Sequence, residues 1–165
     1  MSIGAYKAIY PGYQNGKNGT FTYSCDNKLE FHTTSPSTFM KNLFTQHNLC
    51  LSSRKMWCNT FLHTRSNIPL PLAIDQIYVP LKIRKPLQPY EGTYGYILFN
   101  LLDQIQNSHL VLSDELTLEI LSTPNHIKNK WIQADHVYCY YHKFLLPTEE
   151  STCYLKNKFA SSFEN

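Results

Sequence analysis

Apolar and polar positions alternate with a period of two from Thr20 to Cys25, where Phe21, Tyr23 and Cys25 interleave with Thr20, Thr22 and Ser24. That is the pattern of a half-buried strand. Its predicted partner is Ala5–Tyr10, joined to it by the loop 11–19, whose Gly and Asn residues tolerate positive φ. Leu29-Glu30-Phe31 reads as a third short strand beyond the Asp26-Asn27 turn.

The period then changes to that of a helix. Ser35-Pro36 supplies a capping hydroxyl and a proline at the first helical position, and Phe39, Met40, Leu43, Phe44 and His47 follow at three- and four-residue steps. A second helix is expected from Ser52 or Ser53 as N-cap through Met56, Trp57, Thr60 and Phe61 to about His63. This places Arg54 and Lys55 in the first turn, against the dipole but beside free N–H groups that suit a phosphate.

Ile68-Pro69-Leu70-Pro71 ends helical structure, because each proline biases its predecessor to extended geometry. Leu72-Ala73-Ile74 and Ile77-Tyr78-Val79 then read as strands around Asp75-Gln76. Pro80, Pro86 and Pro89 mark the following stretch as edge or loop, with Lys82, Arg84 and Lys85 exposed on it. After the open loop from Pro89 to Gly95, Tyr96–Leu102 reads as a buried strand. His109–Leu112 and Leu116–Leu121 form a hairpin around Ser113-Asp114-Glu115. Thr123-Pro124 opens a long helix with Ile127, Trp131, Ala134, Tyr138, Tyr141 and Leu145 on one stripe, stopping before Pro147. The pattern predicts an α+β fold: an antiparallel β-sheet system with two short central helices and one long C-terminal helix. A single domain is expected over 1–147, followed by a polar, loose tail over 148–165.

At 165 residues with 42% hydrophobic and 16% charged side chains, the chain is expected to bury its own core without disulfides. Five cysteines at wide, irregular spacing argue for reduced thiols. The N-terminal residues show no secretory signal and the longest apolar run, Tyr96–Phe99, is too short to span a bilayer, so a cytoplasmic location without membrane contact is expected.

Charge changes the picture more. Between Ser37 and Pro86 stand Lys41, Arg54, Lys55, Arg65, Lys82, Arg84 and Lys85 against Asp75 alone, a surplus of six, whereas the rest of the chain is three negative. Such a polarity favours a polyanionic partner. Arg54, Lys55, Arg65, Lys82, Arg84 and Lys85 are the candidate DNA-binding residues, provided that they face the same way. Arg84, on a proline-bounded stretch, is suited to a narrow A·T-rich minor groove. Tyr90, Tyr94 and Tyr96 offer surfaces for stacking on single strands as a competing use.

Chemistry of other kinds finds little support. His47-x2-Cys50-x7-Cys58-x4-His63 and His136-x2-Cys139-x2-His142 miss the usual zinc spacings. There is no G-x-S-x-G, P-loop or dinucleotide fingerprint, so neither an enzyme nor a cofactor is expected.

The order of these features resembles the competence transcription factor (ComK) family over residues 3–145. The resemblance rests on Ser52-Ser53-Arg54-Lys55 opening a helix, on the run from Ile68 to Ile74 followed by Ile77-Tyr78-Val79-Pro80, on Tyr96-Ile97, and on Leu116–Ile120 with Ser122 before a long helix. It implies a bacterial regulator that binds A·T-rich double-stranded DNA largely through the minor groove, as assemblies of dimers, and activates DNA-uptake genes. It puts Arg54 and Lys55 first among residues to test. Phe144-Leu145-Leu146-Pro147 resembles a segment through which such factors are handed to an adaptor of a Clp-type protease. The alternative reading is a related interaction module without DNA binding, docking through its long helix.

Overall fold

The structure, a computed structural model, describes residues 4–145. It is an α+β fold with the element order β1 (Tyr6–Gln14), β2 (Lys17–Ser24), β3 (Leu29–His32), α1 (Pro36–Gln46), α2 (Leu51–Leu62), β4 (Leu70–Ala73), β5 (Gln76–Lys82), β6 (Tyr94–Leu98), a 3-10 turn (Phe99–Gln104), β7 (His109–Ser113), β8 (Leu116–Glu119) and α3 (Pro124–Leu145). Six strands form an antiparallel sheet in the order β3-β2-β1-β6-β5-β4, and β7 and β8 pair separately as a hairpin.

Local chemistry explains two of the three α-helix starts. Ser35 caps α1 by accepting from the Thr38 N–H, with Pro36 at the first helical position. Thr123 serves α3 in the same way, its hydroxyl accepting from the His126 N–H. At α2 the start differs from expectation: Cys50, not Ser52 or Ser53, is the N-cap residue. The Arg54 N–H therefore already donates to the Cys50 carbonyl and is no longer a free donor for a phosphate.

The hairpin β1–β2 is also tighter than the loop 11–19 that the sequence suggests. Both strands continue to a two-residue turn in which Asn15 (φ 51°) and Gly16 (φ 74°) take left-handed conformations, the requirement of a type I′ hairpin. Pro80 lies inside β5 and is buried, opposite Tyr96. The ladder with β4 ends at Tyr78, so the missing proline N–H removes no bond on that side. Tyr96–Leu102 divides into strand as far as Leu98 and then a 3-10 turn, which keeps Phe99 and Leu102 buried.

From Ile77 to Leu81 every residue of β5 is buried, so both faces of the sheet are covered. On one face α1 lays Phe39 against the rings of Tyr6 (5.5 Å) and His32 (4.8 Å). α3 packs along β5 and the 3-10 turn, with Trp131 and Tyr138 beside Phe99. α2 fills the angle between β4 and α3. One apolar cluster unites these layers, including Val137, which the expected α3 stripe omits. Lys130 is buried on the same helix, its Nζ donating to the Asn67 carbonyl and, at 2.9 Å, to Gln133 Oε1. Burial lowers its ammonium pKa.

No helix among the described residues is long and apolar enough to cross a membrane. Residues 148–165 lie outside the described residues.

Candidate nucleic-acid interface

The connection from β5 to β6 leaves the sheet at Ile83 and returns at Thr93, closing its base with bonds from the Ile83 and Arg84 amides to the Thr93 carbonyl. Two charged side chains fix what lies between. Arg84 donates from Nε to the Gly92 carbonyl (2.9 Å) and from Nη2 to Asn18 Oδ1 (2.8 Å), and its guanidinium lies over the Tyr13 ring at 5.1 Å. Its Nη1 is buried without a hydrogen-bond partner among the described residues. Glu91 accepts from the Tyr13 hydroxyl on one oxygen and from the Leu87 and Gln88 amides (2.8 and 3.1 Å) on the other. The Tyr13 hydroxyl, those two amides and the Arg84 charge hold the Glu91 carboxyl below its ordinary value, and Glu91 in turn raises the Tyr13 phenol.

This bracing projects three side chains into solvent: Lys85, Leu87 and Tyr90. Tyr90 is fully exposed and holds φ at 72°, a conformation unfavourable for an aromatic residue. An exposed tyrosine and leucine beside a lysine, on a loop locked at its base, leave an apolar and cationic surface open to solvent. Lys17, exposed at the end of β2 next to the Asn15-Gly16 turn, stands on the hairpin that Arg84 grips.

The six candidate cations are dispersed relative to this loop. Lys85 is exposed on it, and Lys82 is half-buried at its root, where its backbone bonds Ser122 Oγ and the Leu121 amide. Arg84 is half-buried and acts as a brace, not the exposed probe that the sequence suggests. Arg65 is exposed in the connection between α2 and β4, which Lys130 draws against α3 through Asn67.

Arg54 and Lys55 lie elsewhere. Arg54 is half-buried over the Tyr141 ring (5.5 Å) near the end of α3, while Lys55 is exposed beside it. That end of α3 meets the opposite end of β5, where Tyr138 and His142 line a cleft with Asp75 and Ile77. From Gln76 to Lys82 the strand runs six steps, roughly 20 Å at the usual rise. The structure therefore separates the Arg54-Lys55 pair from the Lys82–Lys85 group. Of the three tyrosines offered for stacking, Tyr90 is open, whereas Tyr94 and Tyr96 are half-buried.

The segment Phe144–Pro147 is described only in part. Phe144 is exposed and stacks on Tyr140 (5.5 Å), which stacks in turn on Phe61 of α2 (4.2 Å), with Lys143 Nζ 5.2 Å from the Phe144 ring. The side chain of Leu145, and all of Leu146 and Pro147, lie outside the described residues.

Cysteine and histidine chemistry is not concentrated at any point: no three metal-ligating side chains gather among the described residues. Burial pushes the Cys58 thiol up to about 12. Cys50 is exposed at the start of α2, where the Ser53 hydroxyl lowers its pKa.

Sequence reasoning singled out Lys82, Lys85 and Tyr90, which the fold places on or at the root of this loop, but not the parts that organise it. Tyr13, Asn18, Glu91 and Gly92 carry no local signature, since their roles depend on contacts with residues up to 78 positions away. Only Asn15-Gly16, a type I′ turn signal, announced that the hairpin would reach this far. Compared with protein-family models, with curated proteins and with solved structures, the chain finds no match.

Proposed function

We propose that this chain is a DNA-binding regulator that contacts A·T-rich duplex with the Lys82 end of its sheet and, consistent with the family resemblance, acts on genes for DNA uptake. The observation that carries the reading is the braced β5–β6 loop. Lys85, Lys82 and the neighbouring Lys17 supply charge for phosphates, while Leu87 and Tyr90 supply apolar contacts in the groove. Capture by charge is followed by entry of the loop into a narrow groove, so that sequence is read partly through shape.

Fluorescence anisotropy on A·T-rich and G·C-rich duplexes of equal length tests this across a salt series. The parent is expected to prefer the A·T-rich duplex. Lys82→Ala with Lys85→Ala should reduce the salt slope by about two, roughly one for each phosphate no longer neutralised. Tyr90→Ser should weaken binding by about tenfold, for the loss of an uncharged groove contact, with the salt slope unchanged. Equal binding of parent and variants would reject the interface.

A second reading is an interaction module without DNA binding, favoured by the exposed Met56, Tyr140 and Phe144 on α2 and α3. The same titration separates them, because such a module gives no anisotropy change at low salt.

A further inference from the structure

A cavity of about 550 Å³ opens between α1, the end of β3 and the start of β1. Three rings meet at it. Phe39 of α1 stands edge-on to Tyr6 of β1, at 80° and 5.5 Å, and lies tilted against His32 of β3 at 4.8 Å. All three are half-buried, so each keeps ring surface open to the cavity. His32 is held in place through its Nε2, 3.0 Å from the Thr22 hydroxyl. Burial, and after it the Glu30 charge, raise the Tyr6 phenol, which therefore stays protonated at neutral pH.

The helix wall differs from a core stripe. Phe39, Asn42, Leu43 and Gln46 recur at three- and four-residue steps, so the face of α1 that carries the ring also presents two carboxamides one turn apart. Both carboxamide residues line the cavity and are exposed to solvent.

These walls define a ligand. The volume is that of a small-molecule site, and stacking rings favour a planar occupant. No Lys, Arg, Asp or Glu is among the described lining residues, which favours a neutral one. A carboxamide offers a donor beside an acceptor, the pattern that pairs with the adenine edge, where the exocyclic amine stands beside N7. We propose that this cavity binds a neutral nucleoside of the adenine type, its base stacked beside Phe39 and His32 and its edge paired with the carboxamides of Asn42 and Gln46. A polynucleotide fits less well, because no lining residue would neutralise its phosphates. The site is separate from the β5–β6 loop, since β3 lies beyond β2 and β1 from β6, and it does not depend on the DNA-binding reading.

Nuclear magnetic resonance of the full chain, titrated with adenosine to about 5 mM, tests this. Saturable shifts are expected in the side-chain amides of Asn42 and Gln46, with a dissociation constant of about 1 mM or below. Purine riboside, which is adenosine without its amine, should bind at least about tenfold more weakly. Asn42→Leu with Gln46→Leu, at two exposed positions, should keep the urea midpoint of the parent and weaken adenosine at least about tenfold. Adenosine monophosphate should bind within about threefold of adenosine, because its phosphate finds no cation in the cavity. Any one of four results would overturn the proposal: no saturable shift at Asn42 and Gln46, equal binding of purine riboside, equal binding by the double variant, or a gain of about tenfold or more from the phosphate, which would move the contact to a cationic surface.

Discussion

Glu91 closes the exposed loop by accepting three hydrogen bonds, from Tyr13 and from the amides of Leu87 and Gln88. Its carboxyl titrates below its ordinary value, and the Tyr13 hydroxyl is the largest cause. A carboxyl lowered by folding gives its full contribution above the ordinary glutamate range, and that contribution is lost as pH falls through the depressed folded value. Protonation of Glu91 in acid is therefore expected to release these bonds and loosen the loop. The Leu87 and Gln88 amide resonances should titrate together with a midpoint below that of an unperturbed glutamate. In Glu91→Gln both should lose that titration, and hydrogen exchange across 86–91 should quicken at neutral pH. A midpoint at the ordinary value would mean that the carboxylate does not hold the loop. Arg84 completes the brace from the other side, which explains why an arginine stands there: three directed contacts, to Gly92, Asn18 and the Tyr13 ring, suit a planar fork better than a lysine.

At the scale of elements, the glycines separate positions where backbone geometry decides from those where it does not. A Cβ on Gly19 would lie 2.6 Å from the Phe31 ring and collide with the His32 carbonyl oxygen, a backbone atom that cannot swing aside. Gly16 has open space but holds φ at +74°. Gly92 meets nothing closer than Pro36 Cδ at 3.9 Å. Gly19→Ala should thus destabilise by about 3 kcal/mol or more, as overpacking against fixed atoms does. Gly16→Ala should cost about 1 kcal/mol for the left-handed residue, and Gly92→Ala should fall within about 0.5 kcal/mol of the parent. Urea midpoints check the order, and a Gly19→Ala variant as stable as Gly92→Ala would contradict the β2–β3 packing. Elements with local determinants were legible in the chain: Ser35-Pro36 and Thr123-Pro124 start helices where their caps predict, and 20–24 is a strand as its alternation predicts, although the polar Thr20 and Thr22 are buried, Phe21 is half-buried and Cys25 is exposed. The misreadings arose where a distant partner decided. Pro80 enters β5 because β4 stops short of it, and Cys50 takes the N-cap place although two serines follow it. The hairpin β1–β2 was misread for a local reason instead: Asn15-Gly16 lets its strands stay paired past Pro11 to the turn.

For the whole molecule, the position of the charge matters more than its total. The surplus between Ser37 and Pro86 was legible as a count, but the fold divides it between two ends of β5 because α2 and the β5–β6 loop attach at different ends of the sheet. Arg54 meets Tyr141, so part of its work is structural: a cation on a half-buried ring holds α2 to α3. Lys55 beside it is exposed, and β5 spans about 20 Å, or about six base pairs of duplex, between the end that meets α3 near Arg54 and the braced loop. A short duplex centred on the loop is therefore expected to gain phosphate contacts from the Lys82–Lys85 group rather than from both. On a ten-base-pair A·T-rich duplex, Arg54→Ala with Lys55→Ala should leave the salt slope within about 0.3 of the parent, while Lys82→Ala with Lys85→Ala lowers it by about two. The first pair should instead lower thermal stability, by about 0.5 to 1 kcal/mol for the missing cation–π interaction. If the slope falls equally for both pairs, the duplex runs along the strand and touches both ends, and the loop is only one part of the interface. If it falls for Arg54-Lys55 alone, the contact surface is the helix pair α2–α3 and the braced loop faces away from DNA.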